Sequence, residues 1–325
     1  MRRKRVFKII LIILVVVLAI ISVSILGLYI NHRVKLNREA EEFSPPGEMV
    51  EINEKQFHVY SEGNGPSTLV FLSGHGTSYP TLDFKPLWSK FAQDYRIVVI
   101  EKPGYGWSEP SDSPRDIDTI LEETRTALDL AGESGPYILF PHSMSGLEAI
   151  YWAQKYPTEV QAIIGLDPLI LESVELLPKT SKSQLNMVYF ISRIGLSRLM
   201  PSSEIANTLP LLDSDELSEE EKDEYVSIFY KSSLTKNMLE EFNQLKNNAQ
   251  TIMDNSLPIE TPMYFFISTE QSELVEGWKD ALIDYAANLN IGQTTELSTS
   301  HYIHHDESQA IYNNVISFFQ QNQID

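Results

Sequence analysis

The chain opens on a stretch without charge and then changes rhythm. Residues 9–30 carry no ionisable side chain except Tyr29 and are mostly Ile, Leu and Val. As a helix at ~1.5 Å per residue they span about 33 Å, which matches a ~30 Å hydrocarbon core. A core helix of that length would keep a polar face. A cleaved signal peptide would have an apolar region of ~7–15 residues ending in small residues. Here the small cluster Ser22-Val23-Ser24 is followed by more Ile and Leu. The pattern predicts an uncleaved transmembrane anchor (9–30) between a basic tail (1–8) and a polar juxtamembrane linker (31–48) that ends in Ser-Pro-Pro-Gly.

From residue 49 the pattern alternates. Residues 49–52 and 57–60 flank Asn53-Glu54-Lys55 and predict a hairpin. Short, mostly apolar runs follow at 69–72, 96–100, 137–140 and 160–166, and again at 263–267, and a further strand is read at 294–297. Helical spacing appears at 116–130, where Ile117, Ile120, Leu121, Thr124 and Leu128 recur, and at 147–156, 273–288 and 306–320. Strands separated by helices of this length predict βαβ units and an α/β fold with a mostly parallel, eight-stranded sheet. Its core occupies 49–168 and 259–325. Residues 169–258 show no strand alternation. Met238, Phe242, Leu245, Ala249 and Ile252 form one helical stripe, and Ser218 with Glu221 fits a capping box. This segment is predicted to be an all-helical insertion. Its acidic run, 213–224, reads as a solvated helix face.

Composition narrows the function. Of 325 residues, 42% are apolar and 10% aromatic, which suits a folded chain. The net charge is −20, unevenly spread: residues 1–40 hold eight Lys/Arg and one acid, while 41–325 hold 17 against 44, a net −27. So acidic a body argues against nucleic acid and against electrostatic adsorption to anionic lipid. Arg2, Arg3, Lys4, Arg5 and Lys8 precede the span, and Arg33, Lys35 and Arg38 follow it. The denser cluster predicts a cytoplasmic N-terminus and a C-terminal domain outside the cell membrane. The absence of cysteine excludes disulfides, a cysteine nucleophile and Cys-ligated metal.

One decapeptide carries chemistry. Tyr137-Ile-Leu-Phe-Pro-His-Ser-Met-Ser-Gly146 runs an apolar strand into Ser143 and directly into a helix. A serine on such a turn points its hydroxyl out of the sheet, and the helix N-terminus offers N–H groups to a developing oxyanion. The bland alternative is a helix cap at Ser143 or Ser145. Pro141 and Ser145 stand where a G-x-S-x-G elbow has glycines.

The surrounding motifs add context: Leu-Ser-Gly-His-Gly (72–76), Glu-Lys-Pro-Gly-Tyr-Gly-Trp-Ser (101–108), Pro-His-Ser-Met-Ser-Gly (141–146), Gly-Leu-Asp-Pro (165–168) and Ser-His-Tyr-Ile-His (300–304). With these in order, the chain resembles the alpha/beta-hydrolase family from about residue 49 to its end. The resemblance implies a helical cap at 169–258. Serine at the elbow, where relatives that open epoxides or cleave carbon–halogen bonds use aspartate, implies an acyl-enzyme and an ester, thioester or amide substrate. No cofactor is expected.

The resemblance also implies site roles. His301, after the last strand, falls at the family's general base. The acid has two slots: Asp167, at the end of strand 160–166, is preferred, and Glu270 is the alternative beside Gln271, which cannot carry a charge. The oxyanion hole would combine the N–H of Met144 with one from the early loop. That second donor is His75 if Ser73-Gly74 fills the family's His-Gly slot, and Thr77 if His75-Gly76 does. A metal reading of His301, His304, His305 and Asp306 is set aside, because no H-E-x-x-H pattern is present; His304 and His305 are expected at a helix start or on the surface. Two further readings remain open: a hydrolase fold that has lost turnover and serves as a binding module, and an aminopeptidase variant whose cap acids hold a substrate ammonium.

Overall fold

A computed structural model describes residues 2–179, 181–255, 257 and 259–324. Helix α1 (Arg2–Glu42) is followed by β1 (Glu48–Ile52), β2 (Lys55–Glu62) and β3 (Thr68–Leu72). Helices α2 (Pro80–Asp83) and α3 (Lys85–Phe91) lead to β4 (Arg96–Glu101), then α4 (Ile117–Leu130), β5 (Tyr137–Pro141), α5 (Ser145–Lys155) and β6 (Val160–Leu166). After a helical insertion come β7 (Met263–Ser268) and β8 (Gly292–Leu297).

The eight strands form one sheet in the order β1-β2-β4-β3-β5-β6-β7-β8. β1 and β2 are antiparallel to their neighbours, and the rest are parallel. Each apolar run read from the sequence lies within one of these strands. β3 shows why such runs look unbroken: all five of its residues are buried. Val70 and Leu72 face one layer, with Ile117, Leu121 and Leu128 of α4 and Leu147, Ile150 and Trp152 of α5. Leu69 and Phe71 face the other, with Leu87, Trp88 and Phe91 of α3. A parallel sheet covered on both sides needs apolar residues on both faces.

The insertion between β6 and β7 is helical. It holds α6 (Lys182–Arg193), α7 (Ser202–Thr208), α8 (Glu219–Ser232) and α9 (Lys236–Asn255), with 3-10 turns at Leu171–Leu176, Leu196–Leu199 and Pro210–Asp213. Ser218 and Glu221 make the reciprocal capping box at the start of α8. The acidic run is less solvated than its charge suggests: Glu221 pairs with Lys85, and Glu224 accepts from Tyr79 Oη at 2.6 Å. After β7, the single helix expected over 273–288 is two, α10 (Thr269–Leu274) and α11 (Trp278–Ala287), divided where Gly277 takes φ +85°. The chain closes with α12 (Ile303–Asp306) and α13 (Ser308–Asn322), the latter packed on the α3 side.

Helix α1 is long and apolar enough to cross a membrane. It does not stop at residue 30. Residues 31–42 continue it and rest on the insertion: His32 is buried, Arg198 Nε donates to His32 Nδ1 at 2.9 Å, and the same guanidinium grips Glu39 through two bonds of 2.6 Å.

Candidate active site

From β3 the chain goes to β4 on one side of the sheet, then returns to β5 on the other. The carboxyl ends of β3 and β5 therefore border the crevice where open α/β sheets bind ligands. At one edge lies Gly74, at the other Ser143. The two approach so closely that a Cβ built on Gly74 would stand 2.8 Å from Ser143 Cβ and 3.0 Å from His142 Nδ1.

The elbow is held from below. Ser143 takes φ +53°, a left-handed conformation that costs a non-glycine residue energy and that clusters at functional sites. His142 N–H donates to the Leu72 carbonyl at 3.0 Å, and Ser145 Oγ shares its proton between the Leu72 and His142 carbonyls at 2.7 and 2.8 Å. Ser145 thus ties the elbow to β3 instead of capping α5. The glycine that the turn requires is Gly146, where a Cβ would collide with the Leu169 carbonyl oxygen. The elbow therefore tolerates Pro141 and Ser145 at its two outer positions.

Asp167 follows β6 with φ +47° and is fully buried. Its Oδ1 accepts from Ser268 N–H at 3.1 Å and from Trp278 Nε1–H at 2.9 Å. Its Oδ2 accepts from His301 Nδ1–H at 2.5 Å. Three donors from three elements fix this carboxylate. With the proton on Nδ1, His301 Nε2 is the nitrogen of the ring that can accept one. Glu270 lies on α10, exposed, and its backbone N–H donates to the Thr299 carbonyl at 3.4 Å. No hydrogen bond joins its carboxylate to His301 among the described residues.

His142 connects the elbow to the loop of His301. Its Nε2–H donates to the His301 carbonyl at 3.1 Å, and the two rings stand 4.7 Å apart. Burial, then the nearby His301 and His304, hold its pKa well below the ordinary value, so the ring is neutral. His75, in the loop after Gly74, reaches the insertion: its Nε2–H donates to the Met238 carbonyl at 3.0 Å, and its ring packs on Phe242. Met144 starts the turn into α5, and Thr77 is buried two residues beyond His75.

His304 and His305 lie at a helix start, in the first turn of α12, and their side chains are buried instead of facing solvent. Both turn onto Asp83 of α2, with His304 Nε2 at 2.9 Å from Oδ2 and His305 Nε2 at 3.1 Å from Oδ1, while Tyr225 Oη donates to Oδ1 at 3.1 Å. Asp83, His304 and His305 offer three ligand atoms within 4.8 Å and are a set that could hold a metal ion. Three N–H and O–H donors already satisfy the carboxylate. Neither Nδ1 has a hydrogen-bond partner among the described residues, whereas metal-bound histidines orient their second nitrogen with one. The cluster is better explained as a brace that pins α12, and with it the His301 loop, to α2.

A second buried network clamps the insertion to the core. Lys102 lies 2.6 Å from Glu148 and 3.5 Å from Glu241 of α9; Arg115 lies 3.3 Å from Glu241. Tyr105 Oη donates to Glu241 at 2.7 Å.

Sequence reading missed Trp278, Ser268, His142 and Asp83. Their roles depend on contacts across 101 to 221 residues, for which no local pattern exists.

A family model described as serine aminopeptidase, S33, matches residues 67–289. The chain belongs to that family, within the alpha/beta-hydrolase superfamily. It is 34% identical over 324 residues to the uncharacterized protein YbdG of Bacillus subtilis, covering 98% of each chain. It is 28% identical over 123 residues to a 2-(acetamidomethylene)succinate hydrolase of Mesorhizobium japonicum, covering 36% of this chain and 41% of that one. In fold it is similar to the epoxide hydrolase VrEH1 of Vigna radiata, with a TM-score of 0.62 and 20% identity over 83% of this chain and 97% of that one.

Proposed function

We propose that this family member is a membrane-anchored, extracytoplasmic serine hydrolase that cleaves a carboxylic ester or amide. The observation that carries the reading is the 2.5 Å bond between His301 Nδ1 and the buried Asp167, beside an elbow that strains Ser143 into the crevice. Ser143 Oγ attacks the acyl carbon and its proton passes to His301 Nε2. Asp167 holds the tautomer and stabilises the imidazolium. The N–H groups of Met144 and His75 take up the oxyanion charge. The close approach of Gly74 to Ser143 supports His75 over Thr77 as the second donor. Collapse returns the proton to the leaving group and leaves an acyl-enzyme, and water then repeats the sequence.

Serine at the elbow supports acyl chemistry over the epoxide opening named for structural neighbours. The cap acids that face the core are occupied: Glu221 by Lys85, Glu224 by Tyr79, and Glu241 by Lys102 and Arg115. That favours a substrate without a free ammonium. The uncharged span of α1 and the denser basic flank before it support an anchor with a cytoplasmic N-terminus.

Labelling with a fluorophosphonate tests the assignment. The full-length protein is expected to react covalently, and Ser143→Ala to abolish the reaction. Undiminished labelling of the alanine variant places the nucleophile elsewhere. No labelling of the wild type favours a binding module without turnover.

A further inference from the structure

Helix α6 of the cap exposes large apolar side chains on its outer side as well as burying them on its inner one. Leu185 and Tyr189 face inward, against Tyr105, Leu234, Met238 and Leu239. On the other side Met187, Val188 and Phe190 are 58%, 52% and 47% exposed. The 3-10 turn that follows adds Leu199, 65% exposed, and Leu196. A surface helix ordinarily shows water a polar face, and a contiguous apolar patch marks a site of interaction.

Its place in the molecule says with what. Gly195, between α6 and the turn, packs so tightly on α1 that a Cβ would collide with His32 Cβ. Arg198, within the turn, binds both His32 and Glu39. His32 is only two residues beyond the uncharged span, ~3 Å along an unbroken helix at ~1.5 Å per residue. A bilayer of ~40–45 Å around a ~30 Å hydrocarbon core leaves an interfacial zone of ~5–7 Å on each side. The end of the patch is therefore pinned at interfacial depth. Arg33 and Lys35 of α1 and Lys182 of α6 are exposed basic residues on an otherwise acidic body.

We propose that the outer face of α6 and the adjoining turn is a bilayer-docking surface, seated in the headgroup–acyl boundary of the membrane that holds α1. The proposal rests on the reading of α1 as a membrane anchor. Docking of this kind is driven by apolar burial, as for interfacial amphipathic helices, and is distinct from the electrostatic adsorption to anionic lipid that the acidic body disfavours. It turns the cap toward the lipid. One layer beneath α6 lies Met238, whose carbonyl holds His75, so membrane contact sits one helix away from the loop beside Ser143.

The absence of cysteine makes the test direct, because one introduced thiol carries a dye uniquely. Full-length Leu18→Cys, Val188→Cys and Gln309→Cys variants, each labelled with NBD, are reconstituted into phosphatidylcholine–phosphatidylglycerol vesicles with and without doxyl-labelled lipid. The expected result is loss of emission at positions 18 and 188 when the quencher lipid is present, and none at 309. Quenching at 18 without quenching at 188 overturns docking while the anchor stands. No quenching at either position removes the anchor reading, and the proposal with it. A blue-shifted probe at 188 that lipid does not quench means that protein covers the patch, which also overturns the proposal.

Discussion

His142 donates a hydrogen bond from Nε2 to the backbone carbonyl of His301, at 3.1 Å. The residue before the proposed nucleophile therefore positions the loop that carries the proposed base. It does so as a neutral ring, since burial and two neighbouring histidines hold its pKa well below the ordinary value. The elbow and the His301 loop are one unit, although 159 residues separate His142 from His301 along the chain.

His142→Leu keeps the bulk and removes the donor. It leaves the His301 carbonyl unpaired, at a cost of about 1–3 kcal/mol, and lets the imidazole drift. A shift of the catalytic group by ~1 Å can cost about 10²-fold in rate. The expected outcome is a fall in kcat of that order, measured per active site by fluorophosphonate titration. A purely structural role would lower the number of titratable sites and leave kcat per site unchanged.

The two glycines of the early loop separate activity from stability. Gly74→Ala places a Cβ 2.8 Å from Ser143 Cβ, so the loop or the nucleophile must shift, and turnover is expected to collapse. Gly76→Ala meets nothing within 4 Å but must hold φ +85°. It is expected to cost about 1–2 kcal/mol of stability and little activity. The reverse result moves the oxyanion donor from His75 to Thr77.

Acid is expected to weaken the fold between pH 6.5 and 4. Burial, aided by the neighbouring His305 and opposed by its bond to Asp83, pushes the His304 pKa down to about 4. Its folded pKa lies below its unfolded value, so the unfolded chain binds the proton more readily. The contribution is complete above about pH 6.5 and is lost as pH falls through about 4, roughly 3 kcal/mol at ~1.4 kcal/mol per unit. His142 and His32 shift the same way. Burial favours the neutral acid at Asp83, but His305 and His304 outweigh it and hold the carboxyl below the usual range, so its loss belongs to still lower pH. Thermal midpoints from pH 7 to 4 check this, and His304→Gln should flatten the slope.

Sequence legibility follows the range of the forces involved. The five inner strands from β3 to β7 were readable because each is a short apolar run between turn residues, β1 and β2 because they alternate around a turn, and the capping box at Ser218 and Glu221 because it is a local bond. Ser143 and Asp167 stand just after strands and His301 four residues after β8, so their candidacy came from the family's order of motifs, which left Glu270 open beside Asp167. The continuation of α1 through residue 42 was not, because its polar residues show no apolar stripe and it rests on the insertion through His32 and Arg198. The burial of His304 and His305 was hidden for the same reason: their partner, Asp83, lies more than 200 residues away.

Topology has its own test. Protease added to intact cells should digest the C-terminal domain and spare a short N-terminal stub. A protein released into the medium without its first ~30 residues would mean that α1 is a cleaved signal peptide.

The acid is decided by two amide substitutions. Asp167→Asn preserves shape and keeps an oxygen for Ser268 and Trp278, but its amide can present an N–H where His301 Nδ1–H must donate. The imidazole is then driven toward the wrong tautomer, with its proton on the nitrogen that must accept one from Ser143. In a serine-protease triad that change costs about 10⁴ in turnover, or roughly 5 kcal/mol at ~1.4 kcal/mol per decade. Asp167→Asn is expected to lose three to four decades of turnover while keeping its fold and its slow reaction with the probe. Glu270→Gln, at an exposed position without a bond to His301 among the described residues, should behave as wild type. A crippled Glu270→Gln beside an active Asp167→Asn would reverse the assignment. If both variants match the wild type, the carboxylate has no part in catalysis, and the 2.5 Å bond to His301 serves only to hold the loop.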